Sequence, residues 1–214
     1  MLDLKEIQTI RGTLRSVLEQ CNVPYKVTPY DHDLHRECIE EAVRRGYPVE
    51  GGLSLCTFLR VGVTYALAAA VHLSRPTQIW IALYTSCVIY VDEIPARFPS
   101  DICNFYLFPN RFIEKQQQEN AILDALADII RRAPDLFSPI PSKLIMTSTL
   151  NFFTANLLEH ETKSMEIASA VQQYPIYQRT MTALAEGYAY FAFPPEIPLT
   201  KYVQAIPEDN AIHQ

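Results

Sequence analysis

Two apolar segments, residues 53–73 and 77–94, follow one another with only Ser74, Arg75 and Pro76 between them, and they constrain the fold more than anything else in the chain. The second reads TQIWIALYTSCVIYVDEI and carries no charge before its closing acidic pair. A helix that is hydrophobic all round belongs at the centre of a larger bundle, covered on every side. Thr or Ser interrupts both segments, and each falls short of the ~20 unbroken apolar residues of a membrane span, so they read as core helices. With 49% of its 214 residues in the set AVILMFWYC, the chain has the apolar content to build one such core.

Periodic apolar positions continue on both sides, and the alternation that marks strands is nowhere sustained. The expected fold class is therefore all-α. A helix is predicted over 3–19, with Leu4, Ile7, Ile10, Leu14, Val17 and Leu18 on one stripe. Another covers 33–45 and stops at Gly46, its Glu40/Arg44 and Glu41/Arg45 pairs facing water. Pro95, Pro99 and Pro109 then mark a break, followed by helices over 110–132, 142–161 and 175–191 and a Pro-broken, irregular tail at 194–214.

Several function classes are excluded. The net charge is -6 without a Lys/Arg cluster, which argues against nucleic acid and anionic membrane as partners. The six glycines form neither GxGxxG nor GxxxxGK[ST], and there is no GxSxG. His160-Glu161 begins HExxH, but position 164 is Ser. His32, His35 and His72 lack ligand spacing, and Asp124/Asp128 and Glu159/Glu161 read as solvated helix faces. The five cysteines make no CxxC and read as reduced, mostly buried thiols. Asp3, Lys5 and Glu6 interrupt the window a signal peptide would need, so the expected location is cytoplasmic.

One constellation carries chemistry. Asp92 and Glu93 sit two residues before Pro95, in what the sequence makes the last turn of an apolar helix, where the macrodipole disfavours negative charge by about 0.3–1 kcal/mol each. A cation is wanted nearby. It is either an Arg or Lys partner or a hard divalent ion such as Mg2+, which binds through one or two carboxylates with water and phosphate oxygens.

The stretch IWIALYTSCVIYVDEIPARFP resembles the aspartate-rich helix of class I terpene cyclases, closest to the fungal trichodiene synthase type, in which an apolar, Tyr-containing helix ends in DD or DE. MTSTLNFFTANLLEHE resembles the helix that follows, and PIYQRTMTALAEG the next one, which carries a diphosphate-sensing arginine and then a helix break. The resemblance covers about residues 53–193. It implies a class I terpenoid synthase-like helical bundle forming a single domain over 1–214, with Asp92 and Glu93 holding Mg2+ and Arg179 sensing the diphosphate. It also places Thr182 and Ala183 at the linker and effector positions and makes Tyr84, Val88 and Phe153 pocket candidates.

The implied reaction is ionisation and cyclisation of a farnesyl-type diphosphate. The motif reads DEIPA, without the acidic fifth residue common in such cyclases; Asp101 is a substitute in sequence only. The family's second metal motif would fall beyond Gln214, so the expected bundle is C-terminally incomplete. It should expose a groove that drives self-association or is covered by the tail. The alternative is a non-catalytic relative that binds a hydrophobic ligand or a partner; prenyl transfer, which uses two Asp-rich motifs, ranks third.

Overall fold

The computed structural model describes residues 4–21, 28–51, 54–97, 99–168, 171–182 and 184–206. Every regular element among these residues is helical, in keeping with the all-α expectation. The helices are α1 (Leu4–Gln20), α2 (His32–Arg44), α3 (Cys56–Ala69), α4 (Arg75–Arg97), α5 (Cys103–Ile113), α6 (Ala121–Arg131), α7 (Pro139–Thr162), α8 (Gln173–Thr182) and α9 (Ala185–Phe191). Short 3-10 turns occupy Pro99–Ile102, Ala133–Asp135 and Leu199–Lys201.

α4 is the axis of the molecule. Residues 77–91 are buried apart from half-buried Ile79 and Ile89, and α2, α3, α6 and α7 all pack against the helix. α3 meets expectation only in part: Phe58, Leu59, Gly62, Val63 and Ala66 are buried, whereas Val61 is 53% exposed. Its inner face lies so close to α4 that a Cβ on Gly62 would stand 2.1 Å from the Ala82 carbonyl oxygen. Only glycine fits there. The connection is tied by Gln78, whose Nε2 donates to the carbonyls of Ala70, Val71 and Leu73 at 3.1–3.2 Å, bridging the turn between α3 and α4.

Five sequence expectations are corrected. α4 runs through Pro95 to Arg97, so Asp92 and Glu93 lie in its penultimate turn. Pro95 has no N–H to offer the Val91 carbonyl, but the packed helix carries on past that one lost bond. Pro109 likewise sits inside α5. The span 110–132 is two helices. The chain turns at Lys115 (φ 58°) and restarts at Asn120, whose Oδ1 accepts from the Ile122 N–H at 2.8 Å as an N-cap. The span 175–191 is also two helices, α8 and α9, parted at Leu184 in the left-handed region (φ 52°).

The third correction concerns charge. Glu41 and Arg45 side chains are only 21% and 20% exposed, and Arg44 pairs with Glu41 at 2.6 Å where the sequence put Glu40. Asp128 is engaged as well, accepting from the Tyr47 hydroxyl at 2.5 Å, and Asp124 accepts from the Gln118 N–H at 3.1 Å. The fourth is α1: Ile10, Leu14, Val17 and Leu18 are 38–58% exposed, so its apolar stripe faces solvent. Periodicity is a local property, whereas burial needs an opposing surface. Of the cysteines, Cys38 and Cys87 are buried while Cys21 and Cys103 are exposed, so the thiols are not mostly buried. Among the described residues of the tail, Tyr202 stacks on Phe193 at 3.9 Å and Ile206 is 3% exposed, so this part packs onto the core.

Candidate active site at the end of α4

The i, i+3, i+7 geometry of a helix puts Thr85, Val88 and Asp92 on one face of α4. Thr85 and Val88 are buried, at 4% and 7% exposure, and Asp92 is the first residue of that row to reach solvent. Surrounding protein nonetheless removes part of the water its carboxylate needs, which pushes the Asp92 pKa up. Glu93 beside it pushes the same way, and the Arg179 guanidinium, acting through space, pulls it down.

Arg179 stands on α8, a helix with no buried residue among those described, which lies against α7; Tyr174 at its start donates to Thr162 Oγ1 at 3.1 Å. Thr182 is half-buried and donates to the Gln178 carbonyl at 3.1 Å, closing the last turn of α8. Ala183 lies outside the described residues. The helix restarts at once as α9, where Gly187 lets the backbone approach α7: a Cβ there would stand 3.1 Å from Ser148 Oγ. The break between α8 and α9 thus sets Arg179 and Tyr188 on separate helices.

Below the acids lies an aromatic wall that the sequence revealed only in part. Tyr188 donates to Thr85 Oγ1 at 3.3 Å and meets Tyr65 edge-on at 4.8 Å, Tyr84 at 5.9 Å and Phe191 at 5.1 Å. Tyr84 is fully buried, shares a 2.7 Å hydrogen bond with Thr149 and stacks on Trp80 at 5.1 Å. Burial raises the phenol pKa of all three tyrosines, that of Tyr65 to about 12, so they remain neutral. Phe153, one turn beyond Thr149 on α7, stacks on Phe108 at 3.9 Å and meets Phe105 edge-on at 5.3 Å, in the same core as Tyr84. Tyr65, Tyr188 and Phe191 were missed by sequence reasoning. The dense run GYAYFAF right after the α8 break was the signal for Tyr188 and Phe191, whereas Tyr65 stands alone in the apolar stretch of α3.

Among the described residues, no three His, Cys, Asp or Glu side chains converge as a metal cage, and no helix is long and apolar enough to cross a membrane. What Asp92 and Glu93 offer is a pair of hard oxygen donors without soft ligands, a set suited to Mg2+ completed by water and phosphate oxygens.

No protein-family model matches the chain. It is 32% identical over 202 residues to alpha-cuprenene synthase COP6 of Coprinopsis cinerea, an alignment covering 93% of this chain and 61% of that one. It is also 32% identical over 181 residues to terpene synthase BipA of Cochliobolus sativus, covering 82% and 54%, and 28% over 210 residues to terpene synthase 29 of Postia placenta, covering 96% and 59%. By sequence, the chain belongs with the fungal terpene synthases. It spans 54–61% of the length of these three relatives. As a terpene synthase chain it has the interruption after Thr182 where its resemblance to that family implies a helix break, and the all-helical surroundings that the resemblance implies.

Proposed function

We propose that this chain works as a terpene cyclase, ionising and cyclising a farnesyl-type diphosphate with Mg2+. The observation that supports this most is electrostatic: the Asp92 carboxyl on α4 is influenced both by Glu93 beside it and by the Arg179 guanidinium of α8, a group far away in sequence. Diphosphate leaves a prenyl carbon only when its growing negative charge is neutralised, and Mg2+ supplies that neutralisation when bound. Asp92 and Glu93 would hold the ion. Arg179 would take phosphate oxygens in its planar fork, staying charged throughout.

The same row of α4 then gives the prenyl chain its direction. Thr85 lies seven residues from Asp92, or about 10 Å along the axis, and there Tyr188, Tyr84 and Tyr65 present ring faces and edges. Aromatic faces steady a cation by about 0.5–2 kcal/mol each. Because burial holds these phenols protonated, they stabilise such a cation without offering a phenolate to capture it.

The test is direct. The purified chain, given farnesyl diphosphate, should release diphosphate and a terpene product only with Mg2+, and Asp92→Asn should slow this by about 100-fold or more, as expected on losing one preorganised charge-stabilising group. No Mg2+-dependent release, or release untouched by the substitution, refutes the assignment.

A further inference from the structure

A cavity of about 300 Å³ lies beside the first half of α4, toward the end opposite Asp92. Its walls are Ile79, Trp80 and Leu83 of α4, Ile129 of α6 and Leu136, with Pro76 at one side. Its polar groups are Glu41, Arg44 and Arg132. An apolar slot with a few convergent polar groups, of this size, has the form of a small-ligand site. Pro76, Ile79, Trp80 and Leu83 form one row of α4, on the other face of the helix from Thr85, Val88 and Asp92, so the cavity opens away from the site proposed above, with the stacked pair Trp80 and Tyr84 between the two.

The rim has a charge pattern that selects a ligand. Glu41 is the acidic group among the lining residues and faces two lining guanidiniums. Its carboxylate already accepts from Arg44 at 2.6–2.9 Å and from Arg45, just outside the cavity, at 2.5 Å. These bonds hold it ionised, below its ordinary pKa, against the desolvation that opposes them. Arg132 is held differently. Its ion pairs are 3.6 Å to Glu41 and 3.9 Å to Asp135, longer than hydrogen bonds, so neither uses the directional donors of its fork. The Arg132 side chain is only 25% exposed, so its charge sits in partly dehydrated surroundings where an incoming anion would gain most. Trp80 completes the picture: its Nε1–H is committed to the Ile129 carbonyl at 2.9 Å, leaving the ring as apolar wall.

We propose that this cavity binds an anionic amphiphile, with a phosphate or carboxylate head on Arg132 and Arg44 and a short apolar body against Trp80, Leu83 and Ile129. The head must be anionic because Arg132, whose fork stands 3.6 and 3.9 Å from its two carboxylate neighbours, keeps its directional donors for an incoming group. The body must be short because 300 Å³ lies at the small end of ligand cavities.

Trp80 is the single tryptophan of the chain and part of this wall, so its fluorescence reports binding here, and because it also stacks on Tyr84 the variants below assign the signal to the cavity. Titration with octyl phosphate, octanoate and octanol below their aggregation limits should give a saturable change with at least one of the two anions and at least tenfold weaker binding of octanol. Whichever anion binds more tightly identifies the preferred head group. Arg132→Gln should reduce anion affinity at least tenfold, to the octanol level. Ile79→Phe, which fills the slot without touching charge, should abolish binding of all three, with thermal melting confirming that each variant folds. Asp92→Asn should leave the titration unchanged, which separates this cavity from the proposed active site. A linear, unsaturable response to both anions overturns the proposal, as does equal affinity for octanol, retention of binding in Ile79→Phe, or loss of it in Asp92→Asn.

Discussion

The two ends of α4 carry the same kinds of charge and arrange them in opposite ways. At the start, Arg75 donates to Asp31 at 2.8 Å and to Glu37 at 2.9 Å, and the Asp31 carboxyl, which also caps α2 through the Leu34 N–H at 2.7 Å, is pulled down to about 2. Near the other end, the Asp92 carboxyl is pushed up by burial and by Glu93, with Arg179 pulling back only through space. The first arrangement has closed on itself: each charge is satisfied by a partner, and its work is to pin α2 against α4. In the second, the acid remains partly dehydrated and incompletely compensated, a state that a bound cation would relieve. Perturbation by an unfavourable environment is the pattern of a binding or catalytic group, and perturbation by a direct partner is the pattern of a structural one.

This contrast is open to measurement. The largest effect should come from Arg179→Met, expected to lower diphosphate release from farnesyl diphosphate by about 100-fold while moving the melting temperature by no more than about 1 °C, since α8 buries none of its described residues. A large loss of stability would make the far end of α4 a structural ion pair after all. Next in size, Arg75→Met should destabilise the fold by about 2 kcal/mol, or roughly 4–8 °C in a chain of this length, because it strips charged hydrogen bonds from Asp31 and Glu37.

The sign of the pH dependence follows from Asp31. A carboxyl with its folded pKa depressed to about 2, against an ordinary 3.8, contributes its stability above about pH 4 and loses it as the pH falls through about 2. The gap between wild type and Arg75→Met should narrow over that window in denaturant melts. A gap that stays constant down to pH 2 would mean that the aliphatic packing of Arg75, and not its charge, holds α2.

The smallest effect has the opposite sign. Because the folded pKa of Asp92 is raised, its ionisation opposes folding above its folded pKa and has no effect well below the ordinary value of 3.8. Asp92→Asn should stabilise the chain at pH 7 by about 0.5 kcal/mol after allowance for solvent screening, and by nothing near pH 3. Equilibrium unfolding at the two pH values checks this. A loss of stability at pH 7 would show that Arg179, or another cation, already compensates the carboxylate fully.

Much of this was legible along the chain, for identifiable reasons. The run from Thr77 to Val91 is apolar at every angular position, which only a central helix tolerates, and α4 is that helix. The acids that end the run stand out because nothing charged precedes them. Local signals misled where packing outweighed propensity. Pro95 and Pro109 read as breaks, yet both lie within helices; at Pro109 the lost backbone bond is small beside the burial of Phe105, Phe108 and Phe112 on either side. Asn120 was passed over inside a periodic stretch, although it is a good N-cap residue, because helical periodicity persists across a short turn.

What the sequence determined by itself, then, is what depends on angular periodicity and residue type: the all-α class, the central position of α4 and the identity of its terminal carboxylates. Tertiary structure decided which side chains from distant segments meet. Glu41 reads as a surface acid until Arg132 arrives from the end of α6 and turns it into the anchor of a half-buried cluster. Tyr188 and Tyr65 carry no signal of their own in the sequence; the break at Leu184 turns α9 back onto α3 and α4 and brings them together. The physical reason is the same in each case: burial and pKa depend on the electric field and water content at a point in space, and a linear sequence does not state which neighbours share that point.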